Sequence, residues 1–132
     1  MPAREASALN IPDYKISTAR SYILVERSRD YEVVWSEQPA MLRELAAFCD
    51  EVGCRQVLIV GRQIRVKLST IEIYDLGQAI AKLGLLIAVV ELHDASGEDV
   101  RFLEDVATSR GGPLRFFDTE QDATNWLGVE GS

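Results

Sequence analysis

Two short, nearly uninterrupted apolar runs constrain the fold of this chain more than any other feature. They are Gln56–Val60 (QVLIV) and Leu85–Leu92 (LLIAVVEL). Runs of this length are typical of strands that are covered on both faces, as in a parallel or mixed sheet beneath helices. We therefore expect Val57–Val60 and Ile87–Val90 to be central strands of an α/β sheet.

Amphipathic patterns before and between these runs predict two helices. The first begins at Ser36 as its N-cap, has Pro39 in its first turn and stops at Gly53. The second begins at Ser69, which forms an S-x-x-E capping box with Glu72. Their apolar stripes recur every three or four residues, at Leu42, Leu45, Ala46, Cys49 and Val52 in the first helix and at Ile73, Leu76, Ile80 and Leu83 in the second. These spacings direct one face of each helix toward the sheet.

The segment before the first helix predicts two or three antiparallel strands, because it is rich in β-branched and aromatic residues. The predicted strands are Tyr14–Thr18, Tyr22–Glu26 and Tyr31–Trp35. Residues 28–30 (SRD) supply a turn between the last two. The first dozen residues contain no apolar run, which predicts a loose tail and no signal peptide. We divide the chain into a flexible tail, residues 1–12, and a single domain, residues 13–128.

The last third of the chain predicts a helix, a strand and a short closing helix. The longer helix covers Glu98–Arg110 and is capped by Ser96 and Asp99, the strand is Leu114–Phe117, and Asp118 caps the closing helix. Their inward-facing residues are Val100, Leu103, Val106 and Ala107 in the longer helix and Ala123, Trp126 and Leu127 in the closing one. Strands that alternate with helices in this order predict a mixed β-sheet of about five strands flanked by about four helices.

Three motifs in this last third point to a known family. Arg101–Gly111 (RFLEDVATSRG) is a helix that ends in Arg-Gly, Leu114–Asp118 (LRFFD) is a strand with a Phe-acid pair, and Ala123–Leu127 (ATNWL) is a short helix with Ala-x-x-Trp-Leu. In these motifs, and in element order over residues 22–128, the chain resembles the bacterial SpoIIAA-like proteins. That family belongs to the wider STAS fold, which overlaps structurally with Sec14/CRAL-TRIO-like domains. The resemblance implies a STAS-like α/β domain without enzyme activity.

The resemblance also draws attention to the start of the second helix. In the anti-sigma-factor antagonists of this fold, a serine there is phosphorylated by a partner kinase, within an Asp-Ser-Ser/Thr-Gly-Leu-like stretch. The corresponding stretch here is Leu68–Glu72 (LSTIE), which has neither the aspartate nor the glycine. Ser69 matches by position only and is a candidate phosphorylation site. A role as the helix N-cap is the alternative.

A basic cluster lies just before that helix. Between Glu51 and Glu72 the chain has no acidic residue, and a loop here would follow the carboxyl end of a buried strand, where α/β sheets usually bind ligands. The candidate ligand or partner loop comprises Arg62, Arg65, Lys67, Ser69 and Thr70. An anion, a lipid headgroup or the acidic surface of a protein partner would suit it, and an ordinary charged loop is the alternative.

No residues form a recognisable catalytic, metal or cofactor site. His93 is the only histidine and stands beside Asp94, a pair that can serve as a general base, but no nucleophile lies in a motif. Cys49 and Cys54 have no further Cys or His at metal-ligand spacing, so we expect reduced thiols. No glycine pattern would cradle a phosphate. We predict no catalytic residue, metal or cofactor, and a small enzyme that uses His93 is the least favoured alternative.

The charge distribution argues against nucleic-acid binding, and the short apolar stretches argue against a membrane-spanning segment. Acids and bases cancel over residues 1–90, so the net charge of −7 comes from residues 91–132 and opposes nucleic-acid binding. The longest apolar stretch is far shorter than the roughly 18–20 residues that span a bilayer. We expect a cytoplasmic, non-enzymatic binding or regulatory domain with a protein partner. The alternative is a protein that binds an apolar ligand or lipid and associates peripherally with a membrane, as the resemblance to SpoIIAA-like and Sec14-like proteins implies. The sequence also leaves open whether the protein forms a homodimer.

Overall fold

The computed structural model describes residues 9–11, 14–19, 21–27, 32–61, 65–91 and 98–128. Its strands are β1 (Leu9–Ile11), β2 (Tyr14–Thr18), β3 (Ile23–Arg27), β4 (Glu32–Val34), β5 (Gln56–Gly61), β6 (Arg65–Lys67), β7 (Leu86–Glu91) and β8 (Leu114–Phe117). Its helices are α1 (Gln38–Val52), α2 (Thr70–Lys82), α3 (Glu98–Ser109) and α4 (Glu120–Leu127).

The main sheet is mixed and follows the order β1-β2-β3-β5-β7-β8. The first three strands pair antiparallel, and β3, β5, β7 and β8 pair parallel. Five of its strands have four to six residues, and the three-residue β1 adds an edge. The expected mixed sheet of about five strands with four flanking helices is confirmed. Within the predicted tail, Leu9 pairs with Ile16, because an alternating Leu-Asn-Ile can extend the sheet beside β2.

The two apolar runs form the centre of this sheet, as predicted. β5 lies between β3 and β7, and β7 lies between β5 and β8. Leu58 and Val90 are fully buried on one face of the sheet, beneath α4. Val57 and Ile87 are buried on the other face, beneath α1, α2 and α3. Burial on both faces explains why neither run alternates with polar residues.

The pairing predicted for the third N-terminal strand is wrong. β4 pairs parallel with β6 in a separate two-stranded sheet, with Glu32 opposite Arg65 and Val34 opposite Lys67. Two short strands about thirty residues apart therefore pair with each other, whereas we expected a hairpin with β3. The turn proposed at residues 28–30 lies outside the described residues.

Two predicted helix caps are also wrong. A 3-10 turn, Trp35–Glu37, precedes α1, so the helix begins at Gln38 with Glu37 at the N-cap and no side-chain cap from Ser36. At α4 the N-cap is Thr119, whose hydroxyl accepts from the Asp122 N–H, in place of the predicted Asp118. In both cases the N-cap lies one residue later than the sequence pattern indicates. The predicted α3 cap at Ser96 lies outside the described residues.

The buried face of α1 is rotated relative to the predicted stripe. Met41 and Phe48 are buried, whereas Val52 is exposed. Helices α2 and α3 follow their predicted stripes and pack closely on each other. A Cβ at Gly77 would lie 2.6 Å from Val106 Cγ1, so only glycine leaves the helices this close. This contact determines how closely α2 approaches α3.

Candidate functional site

The start of α2 is built by the predicted capping box. Ser69 has an extended backbone, and its hydroxyl accepts from the Glu72 N–H at 3.2 Å. In return, Glu72 Oε1 accepts from the Ser69 N–H at 2.9 Å. Two N–H groups that the first helical turn leaves without a partner are thereby satisfied. The N-cap role of Ser69 is therefore observed, and Ser69 and Thr70 are both exposed.

The first two turns of α2 present large side chains to solvent. Ile71 is 72% exposed and Tyr74 is 37% exposed. Residues three apart on a helix are neighbours on its surface, so the two side chains share one side of α2. The opposite side carries Ile73 and Leu76, which are buried against the sheet. Ile71 therefore stands outside the stripe that anchors the helix.

Arg110, just past the end of α3, completes this surface. Its guanidinium carbon lies 5.3 Å from the centroid of the Tyr74 ring, and its Nη2 donates to the Tyr74 hydroxyl. A cation over an aromatic ring in an exposed position contributes about 0.5–1 kcal/mol. We call Ile71, Tyr74 and Arg110 the α2 patch. Sequence reasoning missed the patch, although an isoleucine off the apolar stripe of a predicted helix was a visible signal.

The basic cluster is only partly within the described chain. Arg65 and Lys67 belong to β6, so this part of the predicted loop is a short strand that pairs with β4. The strand ends two residues before Ser69, which places its end next to the start of α2. Arg62 lies outside the described residues. The assignment of a ligand or a partner to this segment stays a prediction.

A small apolar cavity lies between the sheet and α1, α2 and α3. Its volume is about 50 Å³. The walls are formed by Arg27, Gln38, Met41, Leu42, Leu45, Ile59, Leu76, Ile80, Ile87, Val89, Leu103, Leu114 and Phe116. Gln38 is the most polar of the fully buried side chains there. Pockets that bind drug-sized ligands ordinarily enclose about 300–1,000 Å³, so this cavity is well below that size.

The described residues hold no group of three or more His, Cys, Asp or Glu side chains that could bind a metal ion. His93 and Asp94 lie outside them. Cys49 and Cys54 are free thiols. Burial, with a smaller contribution from Cys54, raises the pKa of the Cys49 thiol to about 11. No helix in the described part of the chain is long and apolar enough to cross a membrane.

Comparison with solved structures decides the fold type. A protein of the DUF3478 family from Shewanella loihica PV-4, whose structure has a SpoIIAA-like fold, aligns with a TM-score of 0.52 and 20% identity, over 89% of this chain and 96% of that one. This chain has a SpoIIAA-like fold. The NMR structure of the protein TM1081 aligns with a TM-score of 0.52 and 12% identity, over 98% of this chain and all of that one.

At these identities the likeness establishes the SpoIIAA-like, STAS-like fold and transfers no function. No family model matches the chain, and no curated protein matches its sequence. The predicted resemblance to SpoIIAA-like proteins is confirmed at the level of the fold. The overlap with Sec14/CRAL-TRIO-like domains stays a prediction.

Proposed function

We propose that this protein is a non-enzymatic binding or regulatory domain of the cytoplasm that binds a protein partner at the start of α2. The observation that carries the proposal is Ile71, an isoleucine 72% exposed in the first turn of a helix that is otherwise well anchored. Single apolar residues on a surface are common. Ile71 is not single, however, because Tyr74 lies one turn away and Arg110 holds its ring.

The composition of the α2 patch supports this function. Tyrosine and arginine are enriched among the residues that dominate binding energy at protein interfaces. The ring of Tyr74 is already held by Arg110, so less side-chain entropy is lost when a partner covers it. Burial of one isoleucine side chain contributes about 1.5–3 kcal/mol. By itself Ile71 would therefore change a dissociation constant roughly ten- to 150-fold.

Phosphorylation of Ser69 is the regulatory part of the proposal. Its hydroxyl is exposed and lies next to Thr70 and Ile71. A phosphoryl group adds about 1.5–2 negative charges and is favoured at a helix N-terminus. It would also repel the Glu72 carboxylate, which accepts from the Ser69 N–H in the capping box. Phosphorylation would thus replace the capping box of Ser69 and Glu72 with a phosphoryl group at the helix N-terminus. It would also place negative charge beside the α2 patch.

The basic residues that precede α2 extend the proposed surface. Arg62, Arg65 and Lys67 have no acidic residue between them in the sequence. An acidic area on the partner would complement them, with each exposed contact contributing only about 0.2–1 kcal/mol. This part of the binding should weaken above about 0.15 M salt, where the Debye length is about 8 Å. An Arg62/Arg65/Lys67→Ala variant should lose that salt dependence.

Site-specific photocrosslinking in the cells that make the protein tests the proposal. A photoreactive phenylalanine replaces Ile71 in one variant and Val52 in the other. Val52 is the matched control, because it is also an exposed aliphatic residue, on the last turn of α1. We expect one protein to be captured from position 71 and not from position 52. Capture of the same proteins from both positions, or of none from position 71, contradicts the proposal.

The second candidate function is binding of an apolar or lipid ligand with peripheral membrane association. The cavity beneath α1, α2 and α3 supports it, because its walls are almost wholly apolar. At about 50 Å³ it would have to widen before it could hold an acyl chain. Native mass spectrometry of freshly purified protein tests this candidate. A bound mass that is lost in Leu76→Phe, which fills the cavity, supports it, and protein without any bound mass contradicts it.

A further inference from the structure

The two cysteines meet at the end of α1. Cys49 lies in the last turn of the helix, and Gly53 ends the helix with a φ of 78°. The N–H groups of Gly53 and Cys54 both donate to the carbonyl of Cys49, at 2.8 and 3.1 Å. This reversal folds the chain back onto the helix, and side chains at these two places in the motif ordinarily contact each other. Cys49 and Cys54 occupy those two places.

Their surroundings place both thiols on the same core. Cys49 is buried in the cluster beneath α1, and Cys54 is half-buried and packs against that cluster. The Cys54 thiol lies 3.6 Å from the Gln56 carbonyl and 3.7 Å from the Ser21 carbonyl. After burial, a negative charge on Cys54 is the next cause of the raised pKa of Cys49, as expected for two neighbouring sulfur atoms. The Cys54 thiol is thus partly exposed to solvent, and the Cys49 thiol is buried in the cluster against which Cys54 packs.

We propose that Cys49 and Cys54 are a dithiol site that a small-molecule disulfide, such as oxidised glutathione, converts to an intramolecular disulfide. Disulfides require Cα atoms about 4.4–6.8 Å apart. The hydrogen bond from the Cys54 N–H to the Cys49 carbonyl holds the two backbones close together, as this requirement demands. The bond would join the last turn of α1 to the residue pair that leads into β5. It is independent of the α2 patch.

The reaction proceeds by thiol–disulfide exchange in two steps. The Cys54 thiolate attacks one sulfur of the oxidant, which forms a mixed disulfide and releases one glutathione thiolate. The Cys49 thiolate then attacks the Cys54 sulfur and releases the second glutathione thiolate. The protons of the two cysteines pass to the two thiolates that leave. In sum, two protein thiols and one small disulfide give one protein disulfide and two small thiols.

Burial makes the two steps unequal. Cys54 is accessible enough to react first, whereas Cys49 is shielded in the core. A shielded, mostly protonated Cys49 reacts slowly with an oxidant in solution but has the mixed disulfide beside it. The order of attack is therefore set by the fold.

The experiment incubates the folded, reduced protein with oxidised glutathione, quenches with acid and maps the products by mass. Cleavage after Glu51 separates the two cysteines, so an internal disulfide appears as two linked peptides. We expect the wild type to lose two hydrogens and to retain no glutathione. Cys49→Ala should retain glutathione on Cys54, and Cys54→Ala should stay unmodified.

Three results would overturn the proposal. The first is a mixed disulfide on Cys54 that persists in the wild type as it does in Cys49→Ala. The second is a disulfide between the Cys54 residues of two molecules. The third is free thiols in the folded protein under conditions in which the urea-unfolded chain oxidises. The wild-type product map decides between these results even if a cysteine variant does not fold.

Discussion

The contact between Gly112 and Ala81 tests how the end of α2 is positioned. Gly112 follows α3, and a Cβ added to it would lie 2.3 Å from the Cα of Ala81. Carbon atoms that are not bonded prefer about 3.5–4.0 Å. The obstacle is backbone, which cannot rotate away as a side chain can. Gly112→Ala therefore has to displace α2.

The magnitude follows from two opposing effects. Extra methyl groups in a well-packed interior cost about 1–3 kcal/mol. Replacement of glycine by alanine restricts the unfolded chain and recovers about 0.4–1 kcal/mol. We expect Gly112→Ala to lower the free energy of unfolding by about 1–2 kcal/mol. Gly77→Ala should cost less, because its nearest obstacles, Val106 Cγ1 at 2.6 Å and Val106 Cβ at 2.8 Å, are farther away and because alanine is favoured over glycine in a helix by about 1 kcal/mol.

Urea denaturation followed by tryptophan fluorescence measures both variants against the wild type. The prediction is a lower midpoint for Gly112→Ala, with amide chemical-shift changes that are largest around Ala81 at the end of α2. A Gly112→Ala protein as stable as the wild type, or one that loses less than Gly77→Ala, would refute the close backbone contact.

Three further predictions concern the core and the edges. Leu58→Ala should lower the free energy of unfolding by about 2–5 kcal/mol, because Leu58 is fully buried beneath α4; a loss below 1 kcal/mol in urea denaturation would contradict its central position. Glu104 Oε2 accepts from the Phe116 N–H at 2.6 Å and so covers part of the edge strand β8. Glu104→Ala should therefore promote self-association in analytical ultracentrifugation. A variant that stays as monodisperse as the wild type would show that Glu104 does not protect this edge. Burial raises the pKa of the Cys49 thiol from an ordinary 9.0 to about 11, so the folded state keeps this proton at pH values where the unfolded state has lost it. The free energy of unfolding should therefore fall between pH 9 and 11, and Cys49→Ala should lack that part of the decline. Identical plots of unfolding free energy against pH for the two proteins would contradict the burial of the thiol.

The sequence predicted those parts of the fold that a local pattern determines. The two central strands follow from uninterrupted apolar runs, because only a strand covered on both faces needs apolar residues at every position. The capping box at Ser69 and Glu72 follows from a fixed spacing of three residues. The inward face of α3 likewise follows from its periodicity.

Features that depend on distant contacts were not predictable in this way. β4 and β6 have three residues each, and their parallel pairing joins segments about thirty residues apart in the chain. The caps of α1 and α4, although they are local features, each shift by one residue, because a 3-10 turn precedes α1 and Thr119 takes the cap of α4. In α1 the burial of Met41 and Phe48 rotates the helix, which leaves Val52 exposed.

The residues of the candidate site also differ in whether a local sequence pattern predicts them. Ser69 and Thr70 could be placed at the start of a helix from the sequence. The contact between Tyr74 and Arg110 could not, because it joins two helices across 36 positions of the chain. Only the fold brings the end of α3 beside the second turn of α2.

The central question is whether the α2 patch binds a protein. The measurement is calorimetric titration of the partner captured at position 71 against the wild type, Ile71→Asp and Val52→Asp. Both substitutions place a carboxylate on an exposed helical position, so neither should alter the fold. We predict that Ile71→Asp weakens binding by at least roughly tenfold, the effect of about 1.5 kcal/mol of lost burial, while Val52→Asp binds like the wild type. Equal affinities for all three proteins would contradict the account.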